Sequence, residues 1–334
     1  PNSSMNKKLN IAIMGGGNSS EEGISLLGVK QISKWLDPNK YNAYPVMVKG
    51  TKWTLLHPVK GELPVSWDTF AANVEGDTLT FDCALIAIHG TPGENGLLQA
   101  YFEMMGVPYT TGGVLNSSLT FSKDTSKRML AGLNINLAKS ILVRRGQRID
   151  ADDVIKNLGL PLFVKPNESG SSYGITKVKA IEELQPALDL AFTEDEAVLI
   201  EEFLPGVELT CGLVKTQGKS LIFPVTEIVP KNEYFDYSAK YENQSDEITP
   251  ARISDDLADY VQSISSEIYD MLNCRGIVRV DYIYSNKKLY FLEVNTVPGM
   301  SENSLVPQQV NAMGLTMNDV FGLVIEDAIG RKSK

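Results

Sequence analysis

The sequence predicts an α/β protein of two or three domains, and three observations predict it. A short apolar run, Leu9–Met14, leads through Gly15-Gly-Gly17 into a helical pattern from Gly23 to Leu36, the strand–turn–helix order of an α/β unit. A late stretch, Arg279 to Asn295, alternates with the period of two that marks strands and is broken once by the polar turn Ser285–Lys288. The chain has 334 residues, 43% of them hydrophobic, which is long for one domain and enough to bury a core.

Taken in order, Pro1 to Ser4 ahead of Met5 is set aside as a cloning remnant. The glycine turn with Asn18 to Glu22 forms an anion-binding pattern at a helix N-terminus. It is not a dinucleotide fingerprint, because Ser20 stands where the third glycine belongs. Tyr44–Val48 and Ala84–Ile88 read as strands of the same unit. The second ends in the glycine loop His89 to Gly96, which opens a helix from Leu97 to Met105. His57, before Pro58, reads as structural. Pro108–Gly113 and Ser117–Lys123 read as a crossing segment, and Asp124–Leu133 as a helix.

Leu160–Lys165 is a strand that ends in a lysine, followed by a glycine–serine loop to Gly174. Amides and hydroxyls of such a loop cradle phosphates, and a lysine in an apolar strand calls for an anion. Ile181–Phe192 reads as an amphipathic helix and Ala197–Pro205 as a strand with its turn. Gly218-Lys219-Ser220 imitates a phosphate loop, but Gly212 is one position too early and no helix follows, so Val214–Ile222 reads as a hairpin. Tyr234–Asp246 is long, polar and aperiodic, the pattern of a lid. Helices are expected at Asp255–Leu272 and Met317–Ile329.

The late hairpin carries the chemistry. Folded about Lys287, it sets Asp281 opposite Glu293 and Arg279 opposite Asn295, all on one face. Two carboxylates and an amide oxygen are hard ligands that suit Mg²⁺ shared with a substrate phosphate. A solvated strand face laced with a salt bridge fits the same pattern. The loop Thr296–Leu305 that follows is rich in turn formers and hydroxyls, and Gly299 can bring its backbone close to a ligand.

Composition narrows the partners. No apolar run approaches the roughly 20 residues of a membrane helix, and Ile11–Met14 is too short for a signal peptide. Three scattered cysteines point to a reducing, cytoplasmic setting, and two histidines exclude a histidine-rich metal centre. The net charge of −10 disfavours nucleic acid and anionic membranes as partners.

These motifs, in this order, resemble the D-alanine–D-alanine ligases of the ATP-grasp superfamily. The pieces are Gly16–Glu21, His89–Gly96, Pro108-Tyr-Thr, Val164-Lys-Pro with Gly170–Gly174, Leu199-Ile-Glu-Glu, Tyr237–Tyr241, Arg279-Val-Asp281, Leu292–Met300 and Ser304-Leu-Val-Pro307. The resemblance covers Ile11 to about Leu323. It implies an N-terminal unit (residues 5–111), a central unit (112–201) and a C-terminal unit (202–334) with a lid at 230–247. ATP would lie between two antiparallel sheets of the latter two. It implies phosphate contacts from Lys123, Lys165 and Lys240, and a phosphate cover containing Ser171 and Ser172. Adenine would meet Glu201 and the backbone of Glu202, Phe203 and Leu204, and ribose would meet Glu208.

Asp281, Glu293 and Asn295 would bind two Mg²⁺, with Mn²⁺ as a substitute. Arg279 and the Gly299 amide would form an oxyanion hole. Ser304 and Leu305 would hold the second substrate's carboxylate. Glu21 would hold the first D-alanine's ammonium group, with His89 near its carboxylate. Glu21, Ser171 and Tyr241 would close the lid, and a tyrosine at the last position resembles dipeptide-forming rather than depsipeptide-forming members. Gly23, Ser169 and Glu202 depart from residues common in the family. The implied activity is ATP-dependent synthesis of D-alanyl-D-alanine for peptidoglycan, in a cytoplasmic homodimer. A different acceptor, D-lactate or D-serine, is the alternative. A non-catalytic nucleotide-binding regulator fits less well, because Arg279, Asp281, Glu293 and Asn295 are all present.

Overall fold

The computed structural model describes residues 6–17, 22–169, 172–230 and 245–331. Three sheets organise them. The first contains β1 (Leu9–Gly16), followed by helix α1 (Glu22–Trp35), then β2 (Tyr41–Lys49), β3 (Lys52–His57), β4 (Gly61–Ser66), β5 (Ala71–Val74), β6 (Asp77–Thr80) and β7 (Cys83–Ile86). Its order is β6-β5-β4-β3-β2-β1-β7. β1 pairs with β2 and β7 in parallel, while β2 to β6 form an antiparallel meander. Gly16 has φ +88°, and a Cβ there would lie 2.5 Å from the Val48 carbonyl oxygen, so only glycine fits. Its N–H donates to Ser25 Oγ at 2.9 Å, and that hydroxyl donates to the Ala87 carbonyl at 3.2 Å. One serine thus ties the first glycine turn to the strand end that carries the second.

Helix α2 (Leu97–Met105) runs as expected. The crossing segment contains a helix the sequence did not suggest, α3 (Val114–Phe121), before α4 (Lys123–Met129). β8 (Asn136–Leu137) then crosses to the third sheet. The second sheet is wholly antiparallel, in the order β11-β10-β12-β9. Its elements are β9 (Ser140–Arg144), α5 (Ala151–Leu158), β10 (Leu162–Pro166), β11 (Thr176–Val178), α6 (Leu184–Phe192) and β12 (Ala197–Glu202). Val143, Leu162, Val164, Val198 and Ile200 pack under α5 and α6. Strand alternation therefore turns Phe163, Lys165, Leu199 and Glu201 to the opposite face.

The third sheet contains β13 (Val207–Lys215), β14 (Ser220–Ile222), β15 (Thr226–Pro230), β16 (Ser245–Ile248), β17 (Gly276–Ser285) and β18 (Lys288–Asn295). Its order is β16-β15-β13-β17-β18-β8, with β14 beside β13. Helix α7 (Asp255–Met271) packs Val261, Ile264 and Ile268 against Leu209, Cys211, Val278, Val280 and Tyr282. Two further helices, α8 (Leu305–Ala312) and α9 (Met317–Gly330), join the third sheet to the first through Val306, Phe321 and Ile277.

The hairpin β17–β18 places Arg279 opposite Asn295 and Asp281 opposite Glu293, the expected pairs. It reaches them by a different route. The turn is two residues, Asn286 and Lys287, both at positive φ, and Ser285 faces Lys288. A register shift between Asp281 and Tyr282 then leaves Leu292 without an opposite number.

Candidate active site

A cleft lies where helix α4 and the segment after β10 meet β18 of the third sheet, and charged side chains line it. Glu201 on β12 is 4% exposed and binds a lysine with each oxygen. Lys165 Nζ donates to Oε1 at 2.8 Å, and Lys127 Nζ on α4 donates to Oε2 at 3.0 Å. Lys127 also donates to the Ala138 carbonyl and to Ser140 Oγ, both at 2.7 Å, which uses all three of its protons. Lys127 is therefore a fixed strut, and Lys165 keeps protons for the cleft. Burial alone would push the Glu201 carboxyl up, but the two ammonium groups outweigh it and hold it below the usual range. Burial likewise opposes the charge on Lys165, and Glu201, Glu293 and Glu208 overcome it, so its pKa is raised. That β10 lysine feels carboxylates on β18 and β13, which sets the two sheets within electrostatic reach.

On the third sheet, Arg279 grips Asp281 with two parallel bonds, Nε to Oδ1 at 2.9 Å and Nη2 to Oδ2 at 3.0 Å. Burial opposes the guanidinium charge, but Asp281, Glu293 and Glu208 raise its pKa further. Lys123 Nζ lies 4.0 Å from Glu293 Oε2 and donates to the Ser169 carbonyl at 2.8 Å. A small cavity of about 30 Å³ gathers Lys123, Ser169, Glu293, Asn295 and Glu94. Asn295 Oδ1 accepts the Val297 N–H at 3.1 Å, which aims the amide.

This donor set fits a hard divalent cation. Each Asp281 oxygen accepts one bond from Arg279 and retains a lone pair, and the Glu293 side chain is 34% exposed. Among the described residues, no group of three or more His, Cys, Asp or Glu side chains could hold an ion. Two carboxylates and one amide would need phosphate and water oxygens to complete the shell, the arrangement Mg²⁺ favours.

Ser304 caps α8 without its side chain. Its Oγ instead accepts the Ser301 N–H at 3.0 Å and meets Ser301 Oγ at 2.7 Å. The first N–H groups of α8, starting at Leu305, remain available to an anion. Gly299 lies against this turn, since a Cβ there would be 3.2 Å from Ser304 Oγ. His89 Nδ1 stands 3.8 Å from Glu94 Oε1, and Glu94 in turn accepts the Gly90 N–H at 3.0 Å.

At the end of β12, where the resemblance implies adenine, the Glu202 carboxylate accepts the Lys139 N–H at 3.0 Å, and the Glu202 N–H donates to the Lys139 carbonyl at 2.9 Å. Phe203 lies 5.9 Å from Phe163, ring to ring, with Lys177 Nζ 4.2 Å over it. Leu204 follows at the loop to β13. Glu208 pairs with Ile283 on β17, and Ser172 is buried where its loop returns. Glu21, Ser171, Lys240 and Tyr241 lie outside the described residues, as does most of the expected lid.

Sequence reasoning missed Lys127, Phe163, Lys177 and Glu94. Lys127 sits four residues after Lys123 on one helix face, a spacing that could have suggested it. His57 has the structural role expected, since its Nδ1 accepts the N–H groups of Val59 and Lys60 at 3.2 and 3.0 Å. Cys83, Cys211 and Cys274 are free and buried, and burial pushes each thiol up to about 12.

The Glu201 cluster generates a prediction on stability. A carboxyl held low stabilises the fold fully above its unfolded pKa of about 4.3, and that stabilisation fades as pH falls through the folded value. Glu201→Gln leaves two buried lysines unpaired and is expected to cost about 3–5 kcal/mol near neutral pH, with a shallower loss of stability below pH 4 than the parent. Urea denaturation from pH 3 to 8 reads both effects.

A family model described as D-ala D-ala ligase N-terminus matches residues 10–112, and one described as D-ala D-ala ligase C-terminus matches residues 129–326. The D-alanine–D-alanine ligase of Bacteroides fragilis (strain YCH46) is 48% identical over 96% of this chain and 99% of its own length. The crystal structure of the VanG D-Ala:D-Ser ligase from Enterococcus faecalis superposes with a TM-score of 0.84 at 30% identity, covering 98% of this chain and 100% of that one. The Bacillus anthracis D-alanine–D-alanine ligase complexed with ATP gives 0.77 at 27% identity, covering 97% and 98%. With an ATP-grasp fold and both family models matched, the chain belongs to the D-alanine–D-alanine ligase family.

Proposed function

We propose that the chain joins two D-alanines into D-alanyl-D-alanine at the expense of ATP, for peptidoglycan synthesis, using the cleft residues described above. One observation carries the site reading: Glu293, on the same face as Arg279, Asp281 and Asn295, lies 4.0 Å from Lys123 and within electrostatic reach of Lys165 on the second sheet.

The first D-alanine, held by Glu21 and His89, attacks the γ-phosphorus of ATP with its carboxylate. The bond to the β–γ bridging oxygen breaks, ADP leaves, and an acyl phosphate forms. Lys123, Lys165 and Lys240 offset the charge on the phosphoryl oxygens. Asp281, Glu293 and Asn295 would hold two Mg²⁺, or Mn²⁺ in its place, and a bound ion supplies further charge neutralisation at those oxygens. The second D-alanine docks its carboxylate on Ser304 and the Leu305 N–H, loses an ammonium proton and attacks the acyl carbon. Arg279 and the Gly299 N–H receive the tetrahedral oxyanion, a contribution of about 3 kcal/mol per donor. The nitrogen passes its second proton to the departing phosphate, and collapse expels inorganic phosphate and leaves the peptide bond. Glu201, Phe203 and the backbone from Glu202 to Leu204 seat adenine, and Glu208 seats ribose. Ser171 and Ser172 cover the phosphates, and Glu21, Ser171 and Tyr241 latch the lid so that water does not reach the acyl phosphate.

A cytoplasmic homodimer divided near residues 111 and 201, with a lid at 230–247, belongs to the same proposal. No helix among the described residues is long and apolar enough to cross a membrane.

Three outcomes are expected. Glu293→Gln keeps the fold, read by circular dichroism, and loses most of kcat; near-normal turnover would remove the metal assignment. Tyr241→Phe releases ADP in excess of dipeptide, because acyl phosphate meets water; tight coupling in that variant would remove the latch. Phosphate release with D-Ala, L-Ala, D-Ser and D-lactate as acceptors is expected to be fastest with D-Ala. A faster rate with D-Ser or D-lactate would assign the enzyme to a different acceptor.

A further inference from the structure

Gln309 on α8 is fully buried, and its side-chain amide is bonded at both ends to the third sheet. Oε1 accepts the Gly212 N–H at 2.9 Å. Nε2 donates to the Thr210 carbonyl at 3.2 Å and to Thr226 Oγ1 at 3.0 Å. These contacts fall at a gap in the ladder. β13 pairs with β15 as far as Thr210–Thr226 and with β14 from Leu213–Ile222 onward. Between them the chain departs through Phe223-Pro-Val225, and Pro224 has no N–H to offer. The glutamine amide, with one acceptor and one donor end, takes the place of the missing peptide group. Neither main-chain group is left bare in the interior, where each would be costly.

The position matters because of what lies on the other side of β13. Gly212 is the register partner of Arg279, and Thr210 that of Asp281. The helix that supplies Gln309 begins at Ser304 and Leu305, the proposed seat of the acceptor carboxylate. Val306 packs on the same glycine, since a Cβ on Gly212 would lie 3.2 Å from Val306 Cγ2 and 2.8 Å from Gln309 Oε1. One side chain thus joins the acceptor helix to the backbone behind the oxyanion-hole arginine.

On the ligase reading, we propose that Gln309 is a positioning residue that holds the acceptor-binding end of α8 in register with Arg279. It sets where the incoming amine meets the acyl carbon, and it does not bear on ATP or on the first D-alanine.

Gln309→Leu preserves volume and removes all three bonds. It is expected to raise the KM of the acceptor D-alanine about ten-fold or more, and to raise ADP released per dipeptide, with the KM of ATP and of the first D-alanine within about two-fold of the parent. Thr226→Val removes one of the three Gln309 bonds, together with the hydroxyl contact to Thr249, at little change of volume, and is expected to raise the acceptor KM about two- to three-fold. It carries the test should Gln309→Leu fail to fold. Unchanged acceptor KM and coupling with only a lower Tm would overturn the proposal, because a mere core filler behaves that way. An equal rise in the KM of ATP would overturn it too. Parent enzyme that releases no ADP on adding D-alanine would instead remove the ligase reading, so the two failures are separable.

Discussion

A two-residue turn at Asn286–Lys287, continued without interruption, would set Leu292 against Asp281 and drive Glu293 and Asn295 into the core under α7. The strand avoids this by letting Leu292 bulge. Before the bulge the buried positions are Leu289 and Phe291; after it the buried position is Val294. The phase changes once, and that change is what brings two more oxygen-bearing side chains to the face where Arg279 and Asp281 already stand. A bulge leaves a ladder unit unpaired, so the strand bends there and twists more sharply. The cleft face is thus placed by a backbone irregularity, supported from behind by close-packed Val280, Tyr282 and Phe291.

The charges on that face and on the second sheet are arranged in compensated groups. Arg279 with Asp281, and Glu201 with Lys127 and Lys165, keep each buried charge hydrogen-bonded to its opposite. Such groups gain little net stability, because desolvation consumes most of the Coulombic attraction. What they provide is orientation. Lys127 is spent entirely on the protein, which fixes Glu201, and Glu201 in turn holds Lys165 at the cleft wall. On the proposed reading, a triphosphate would meet cations that are already in position, and little reorganisation would remain to be done.

The sequence disclosed the parts whose pattern is local. β1 and β7 are parallel neighbours buried over most of their length, and such strands read as apolar runs. The meander β3–β6 was not foreseen, because strands half open to water, such as Gly61–Ser66, carry too few apolar residues to show a period. Helix α8 was hidden by Pro307 and by two adjacent glutamines, one of which proves to be core; no local pattern separates a buried glutamine from an exposed one. Lys127 was overlooked for a similar reason, since a helical lysine ordinarily faces solvent. The partner pairs of the late hairpin were foreseen correctly, though a symmetric fold about Lys287 stood in for a tighter turn plus a bulge. The two constructions coincide at Asp281 and Glu293 and differ everywhere nearer the turn.

The three sulfhydryls lie in two interiors: Cys83 beneath the first sheet, Cys211 and Cys274 together between α7 and the third. Their protons are held too firmly for thiolate chemistry at physiological acidity. Thiol-directed reagents therefore find no cysteine at the surface of the folded chain, and any cysteine adduct that forms records which of the two interiors came apart to admit the reagent.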